Sequence, residues 1–188
     1  MDSEVIIAYV GLGSNLGDRA GNLLLAVRGL MEAGLCVHKL SGIYETEPVG
    51  VTDHSNYLNM AAEVHVSGIT PSQMMTRMLR IEYLLGRKDK FLQKPRSVDL
   101  DLLLFDGIEV DSELVKIPHP QMHERRFVLV PLAEIAPHAI HPGLQKTAAE
   151  LLATVEDTSL VHRWSPNTNV VFEHGEMKLS LKTLKTMT

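Results

Sequence analysis

Two hydrophobic periods alternate along this chain, one of two residues and one of about 3.6, and their succession lays out its elements. Val5 to Val10 is a β-rich apolar run of the kind that forms a strand. It leads into Gly11-Leu12-Gly13-Ser14-Asn15-Leu16-Gly17-Asp18, which comes near a dinucleotide-binding fingerprint but brings its third glycine one position late. We read this stretch as a tight strand-to-helix turn in which Asp18 caps the helix. Leu23, Val27 and Leu30 then share a helical stripe that stops near Gly34. Leu35 to Tyr44 reads as a second strand, and Glu45 to Asp53 as a turn-rich loop. From Tyr57 to Val66 the chain alternates, with Leu58, Met60, Ala62, Val64 and Val66 on one face and Tyr57, Asn59, Glu63 and His65 on the other.

Thr70-Pro71 supplies the cap and first-turn proline of a second helix. Its stripe is Met74, Met78, Ile81 and Leu85, with Glu82 beside it and expected to face the sheet's edge. Ser97 to Phe105 is again a strand, and Asp106-Gly107 a turn. Ile117 to Pro120 reads as an extended corner, Gln121 to Ile135 as a helix in two pieces broken at Pro131 that exposes Arg125 and Arg126, and Thr147 to Val155 as a short helix. The order strand, helix, strand, strand, helix, strand is the split βαβ pattern: an α+β, ferredoxin-like βαββαβ core, its antiparallel sheet carrying the helices. The rest adds a C-terminal hairpin and helices. We expect one domain over residues 1–158 and an extension over 159–188, whose sequence has no strong period.

The strand that starts at Ser97 carries the most informative chemistry. Asp99 and Asp101 fall on one face, roughly 7 Å apart along the backbone. Two carboxylates at about 6 Å repel by roughly 3 kcal/mol at an effective dielectric near 20. A divalent cation relieves this, and hard oxygen donors without cysteine suit magnesium or manganese. The simpler alternatives are two solvated acids, or one of them paired with Arg96. Arg87, Lys88, Lys90, Lys94 and Arg96 crowd into the ten residues before the strand, where they could meet phosphate. Tyr57 and Asn59, two apart on one face, could stack on a flat heterocycle and bond its edge, or be an ordinary exposed strand face. His119, His123 and Glu124 lack the spacing of a zinc motif.

Composition narrows the partners. A net charge of −5 argues against non-specific binding to nucleic acid or a membrane surface. The single Cys36 excludes an internal disulfide framework. The acidic start, Met1-Asp2-Ser3-Glu4, lacks the basic region of a signal peptide, and no apolar run is long enough to span a bilayer, so a cytoplasmic location is expected. On such a sheet an RNA reader would need more aromatics. A palm-like nucleotidyl transferase or cyclase would use paired aspartates and two metals, and a ligand-sensing module would need neither.

Six segments keep the order and spacing of one enzyme family: Gly11 through Gly17, Tyr44 through Gly50, Tyr57-Leu58-Asn59, Ile81-Glu82 with Gly86-Arg87, Pro95-Arg96-Ser97-Val98-Asp99-Leu100-Asp101, and Pro118-His119 through Phe127. In these the chain closely resembles the 6-hydroxymethyl-7,8-dihydropterin pyrophosphokinases of folate biosynthesis, over roughly residues 5 to 155. The Pro-Arg-x-x-Asp-x-Asp strand is the most specific part. The resemblance implies transfer of the β,γ-pyrophosphoryl group of ATP to the pterin hydroxymethyl oxygen, releasing AMP. It implies two magnesium ions held by Asp99 and Asp101, which with Arg87 and Arg96 form the catalytic set. Arg87, Arg96, His119 and Arg125 would line the phosphates, with Glu82 near the nucleotide. Tyr57 and Phe127 would sandwich the pterin, while Asn59 and the backbone around Thr46 and Val49 read its edge. The loops at 45–54 and 86–95 would act as lids that exclude water. Where the family often has a second arginine and a tryptophan, this chain has Lys88, Asp89, Lys90 and Phe91, which leaves the closing cation open among Lys88, Lys90 and Lys94. Leu79 stands where a polar residue is frequent, and Glu47 where proline is common.

Overall fold

A computed structural model describes residues 5–47, 55–86 and 96–166, and the backbone of 169–173 and 176–180. Its centre is an antiparallel sheet of β1 (Ile6–Ser14), β2 (Cys36–Leu40), β3 (Tyr44–Thr46), β4 (Tyr57–Val66) and β5 (Asp99–Phe105). β4 and β1 lie in the middle, β5 forms one edge, and β2 and β3 follow one another along the far side of β4. This is the strand order of the expected ferredoxin-like core. Alternation along the strands sends Ala8, Val10, Leu12, Leu58, Met60, Ala62 and Val64 to one face, where they meet Leu23, Ala26 and Leu30 of α1 (Arg19–Glu32) and Met74, Met78 and Ile81 of α2 (Pro71–Leu84). Both helices start on side-chain caps. Asp18 accepts from Gly21 N at 3.0 Å, and Thr70 and Gln73 form a reciprocal capping box.

The opposite face is partly covered too. Beyond the small ladder of β6 (Val110–Asp111) and β7 (Lys116–Ile117), a 3-10 turn at Met122–Glu124 leads into α3 (Arg126–Ile135). There Met122, Val128 and Leu132 pack on Ala61 of β4 and Leu103 and Leu104 of β5. A second ladder, β8 (Ile140–His141) with β9 (Lys146–Thr147), precedes α4 (Ala148–Thr154). The helical break in 121–135 falls at Arg125, which is extended (φ −117°, ψ 109°), and not at Pro131, which lies inside α3. Proline removes one helical hydrogen bond, and burial of Val128, Leu129, Pro131 and Leu132 on one face offsets that loss. Arg125 and Arg126 are half-buried rather than exposed.

Other expectations also change. The glycine-rich stretch is not all turn: β1 runs through Gly11 and Gly13 to Ser14, and only Gly17 takes a positive φ, of 65°. Leu35–Tyr44 is two strands because Ser41 interrupts the ladder. Its N–H donates to Ala61 O at 2.9 Å, but its hydroxyl, not its carbonyl, accepts from Ala61 N. Gly42 N instead donates to Glu134 Oε2 on α3 at 2.8 Å. The sheet also continues past residue 158, since β10 (Val161–Arg163) pairs with β3 and Trp164 N donates to Ile43 O at 2.8 Å. A short strand with no clear alternation, just beyond the boundary expected at residue 158, thus adds to this edge. A separate hairpin joins β11 (Asn169–Glu173) to β12 (Glu176–Ser180). Among the described residues no helix is long and apolar enough to cross a membrane.

Candidate active site

The register of the sheet builds the site. Asp99 and Asp101 stand opposite Gly13 and Gly11 of β1, which stand opposite Asn59 and Ala61 of β4, and Asn59 in turn faces Tyr44 of β3. Directly opposed residues point to one face, so the row Tyr44, Asn59, Gly13, Asp99 crosses four strands on the side away from α1 and α2. Strands lie about 4.8 Å apart, so the backbones of Asn59 and Asp99 are about 10 Å apart with a glycine between them. A Cβ built on Gly13 would lie 3.1 Å from Asn59 Oδ1 and 3.8 Å from Asp99 Cβ. Gly13 therefore keeps a side-chain-free floor between the Asn59 carboxamide and Asp99, and Gly11 continues the glycine row beneath Leu103.

The carboxamide wall is fixed. Asn59 is buried, and its Nδ2 donates to Thr46 Oγ1 at 2.7 Å, which leaves Oδ1 turned toward Gly13. Tyr57 lies one turn of the pleat away on the same face, half-buried and paired with Thr46. Thr46 itself is buried, and the side chain that accepts from Asn59 adds to the backbone role expected of it.

On the acid side, Asp99 Oδ2 accepts from Arg96 Nη1 at 2.5 Å, so the pairing kept as an alternative from the sequence is present. Arg96 is itself clasped at the backbone: its N donates to Asn15 Oδ1 at 2.7 Å, and its carbonyl accepts from Asn15 N at 3.1 Å. Asn15 Nδ2 and Arg96 Nε are buried donors with no hydrogen-bond partner among the described residues. Donors left so at one place favour an anionic acceptor. Glu82 faces the sheet's edge, as expected, but it is only 2% exposed and its Oε1 accepts from Leu100 N at 2.7 Å. This contact holds the start of β5 from beneath, on the face opposite the two acids.

His119, Arg125 and Phe127 arrive from the segment after β5. His119 N donates to Leu103 O at 2.9 Å, which fixes this segment along the edge strand two residues beyond Asp101. Arg125 donates to Gln121 Oε1, and its guanidinium sits 5.6 Å from the centre of the Phe127 ring. Phe127 packs beside the cluster that holds Ala61 and Leu103, both neighbours of the glycine floor. Arg125 caps α3 without a side-chain bond; instead Asp157 Oδ2 accepts from Arg126 N at 2.7 Å. Burial works to raise the Asp157 carboxyl, but the hydrogen bonds from Ser159 and Arg126 outweigh it and leave it below the usual carboxylate range. Arg87, Val49 and the lysines 88, 90 and 94, with most of both expected lids, lie outside the described residues.

The structure thus brings Thr46, Tyr57, Asn59, Arg96, Asp99 and Asp101 to one end of one sheet face. Sequence reasoning missed Asn15, Asp157 and the floor. The signal for the floor was available: Gly11 and Gly13 are two apart, the strand period, directly after an apolar run.

Three comparisons show which known proteins this chain is similar to. The family described as 7,8-dihydro-6-hydroxymethylpterin-pyrophosphokinase (HPPK) matches residues 9–137. The 2-amino-4-hydroxy-6-hydroxymethyldihydropteridine pyrophosphokinase of Bacillus subtilis is 41% identical over 172 residues, 90% of this chain and 98% of the relative. That of Aquifex aeolicus is 37% identical over 142 residues, 76% and 88% of the two chains. In fold, a crystal structure of the Plasmodium falciparum HPPK-DHPS protein superposes with a TM-score of 0.63 at 17% identity, covering 81% of this chain and 46% of that one. This chain spans less than half of that larger protein, and the likeness concerns the fold alone. A palm-like nucleotidyl transferase is not favoured by any of these matches. On sequence, fold and the spacing of its motifs, this chain belongs to the 7,8-dihydro-6-hydroxymethylpterin-pyrophosphokinase family.

Proposed function

We infer that the acid pair and the glycine floor between it and Asn59 carry the reaction of this family, transfer of pyrophosphate from ATP to 6-hydroxymethyl-7,8-dihydropterin with release of AMP. The reading rests on one observation above all: Asp99 and Asp101 share a sheet face with Asn59, separated by backbone that bears no side chain. A flat ring on that floor puts its edge against Asn59 Oδ1 and its substituent toward the acids. Tyr57 and Phe127 close on the ring's two faces, and the backbone at Thr46 and Val49 completes the edge contacts.

The donor set suits hard divalent ions: two carboxylates on successive same-face positions of β5, opposite Gly11 and Gly13. Two magnesium ions held there by Asp99 and Asp101 would, when bound, neutralise triphosphate charge and fix its orientation. The chain's own groups do the rest. Arg96, whose guanidinium now sits on Asp99, turns to the phosphates, its backbone kept still by Asn15. Arg87 and Arg125 add positive charge along the triphosphate, which His119 also lines, and Arg125 stacks on Phe127, which links the phosphate side to the ring side. Glu82 acts through Leu100 N, which holds the acid strand in register, and its place near the nucleotide remains part of this reading. Phosphoryl transfer gains most from such positioning and charge placement, so no strong base is needed. The loops at 45–54 and 86–95 would exclude water, and the ligands are small molecules. The 159–188 segment is then an extension whose first strand completes the sheet. A cytoplasmic site of action fits the single cysteine.

Product analysis tests the reading directly. ATP, magnesium and the hydroxymethyl pterin should yield AMP and the pterin diphosphate in equal amounts. Release of free pyrophosphate, or no AMP, would contradict it.

A further inference from the structure

A second cluster of metal-ligating groups lies on the same sheet face but about 13–20 Å along β4 from Asn59, toward its far end. His38, Glu63 and His65 place one ligand atom each within 4.8 Å of one another. His65 Nε2 and Glu63 Oε1 are 2.9 Å apart, and the imidazoles of His38 and His65 stack with centroids 4.2 Å apart and planes 20° from parallel. A bulge creates this arrangement. Cys36 pairs with His65 and Val37 with Val64, but the register then shifts so that Lys39, not His38, stands opposite Glu63. The extra residue is His38, and bulges re-aim side chains.

We propose that His38, Glu63 and His65 form a binding site for a transition-metal dication of the zinc class, separate from the acid pair and independent of the pterin reading. Two imidazoles and one carboxylate are a ligand set that suits zinc and leaves a fourth position for water. Zinc bonds of about 2.0–2.2 Å place tetrahedral donors about 3.3 Å apart. The Glu63–His65 pair, at 2.9 Å, has to open slightly, and the exposed His38 ring has to leave its stack on His65 and turn a nitrogen toward the same point. The metal takes the place of the hydrogen shared by His65 Nε2 and Glu63, the imidazole then carrying its proton on Nδ1. Glu63 suits the role because its side chain is buried at the base of the cluster, between Lys39 and His65. Lys39 Nζ lies 2.8 Å from Glu63 Oε2. It orients the carboxylate from the outer side and, as a cation, weakens the hold on metal. Bound metal would tie β2 to β4 across the bulge.

The test is a calorimetric titration of the tag-free, EDTA-stripped full chain with zinc chloride alone, in a buffer without nucleotide. One equivalent should bind and survive Asp99→Ala. His38→Ala and His65→Ala should each weaken it at least tenfold, and Lys39→Gln should strengthen it severalfold. His38 is exposed, so its variant folds as the parent does, and a thermal melt checks His65→Ala. No equivalent surviving Asp99→Ala, or unchanged zinc affinity in both histidine variants, would overturn the proposal.

Discussion

Gly13→Ala separates folding from function more sharply than any other single change. The position lies in β1 with no positive φ, so alanine suits the backbone and gains about 0.5–1 kcal/mol over glycine in a strand. The added methyl meets Asn59 Oδ1 at 3.1 Å, closer than most carbon contacts, and Asn59 is held by its 2.7 Å bond to Thr46. Either the amide shifts by a few tenths of an ångström or β1 does, and the strain roughly cancels the backbone gain. Thermal stability should therefore change by less than about 1 kcal/mol. Ring binding should suffer much more. A methyl on the floor lifts the heterocycle and spoils its bond to Asn59, a loss of about 1.5–3 kcal/mol when the bond and the lost packing are combined, or ten- to hundredfold in affinity. The assay is pterin binding by calorimetry beside a thermal melt. Unchanged pterin affinity in a folded variant would refute the idea that the ring lies over Gly13. Gly11→Ala is the companion: its Cβ would meet Leu103 at an ordinary 3.5 Å, so it should be stable without strain.

Other expectations follow from single contacts. Asn15→Ala releases the backbone clamp on Arg96 and should lower kcat about tenfold with pterin affinity unchanged; equal loss of both would show that Asn15 only holds the loop. Glu82→Leu leaves the buried Leu100 N–H without its acceptor and should cost about 1–3 kcal/mol in denaturant unfolding, whereas Glu82→Gln should recover most of it; identical stability of the two variants would contradict this. Asp157→Ala removes the outside cap of α3 and should cost about 0.5–2 kcal/mol near neutral pH. Because its folded carboxyl titrates below its unfolded value, that contribution is full above about pH 4 and fades as pH falls through the folded value. A stability difference between parent and variant that stays constant down to pH 3 would rule this out.

The core was legible because its signals are local and repeated. The alternation of Leu58 through Val66 and the stripe of Met74, Met78 and Ile81 each name a buried face without reference to any partner. Asp18 and Thr70 likewise announce helix starts through bonds made within one turn. What escaped depends on long-range pairing. That Gly13 lies between Asn59 and Asp99, and Gly11 between Ala61 and Asp101, is a property of register, and nothing near the glycines states which strands flank them. Asp157 acts 31 residues from the helix start it serves, and His38 meets His65 only because a bulge shifts one strand by a residue. β10 was hidden for a related reason: three residues at a sheet's edge need no hydrophobic period to pair.

The central claim is that Asp99 and Asp101 seat the divalent ions under the phosphates. Crystals of the chain grown with manganese and a non-hydrolysable ATP analogue allow it to be read from anomalous scattering alone. The account predicts manganese peaks within about 2.3 Å of carboxylate oxygens of both residues, with Arg96 moved from Asp99 to a phosphate oxygen. Nucleotide bound with no peak at either acid, and Arg96 still on Asp99, would contradict it.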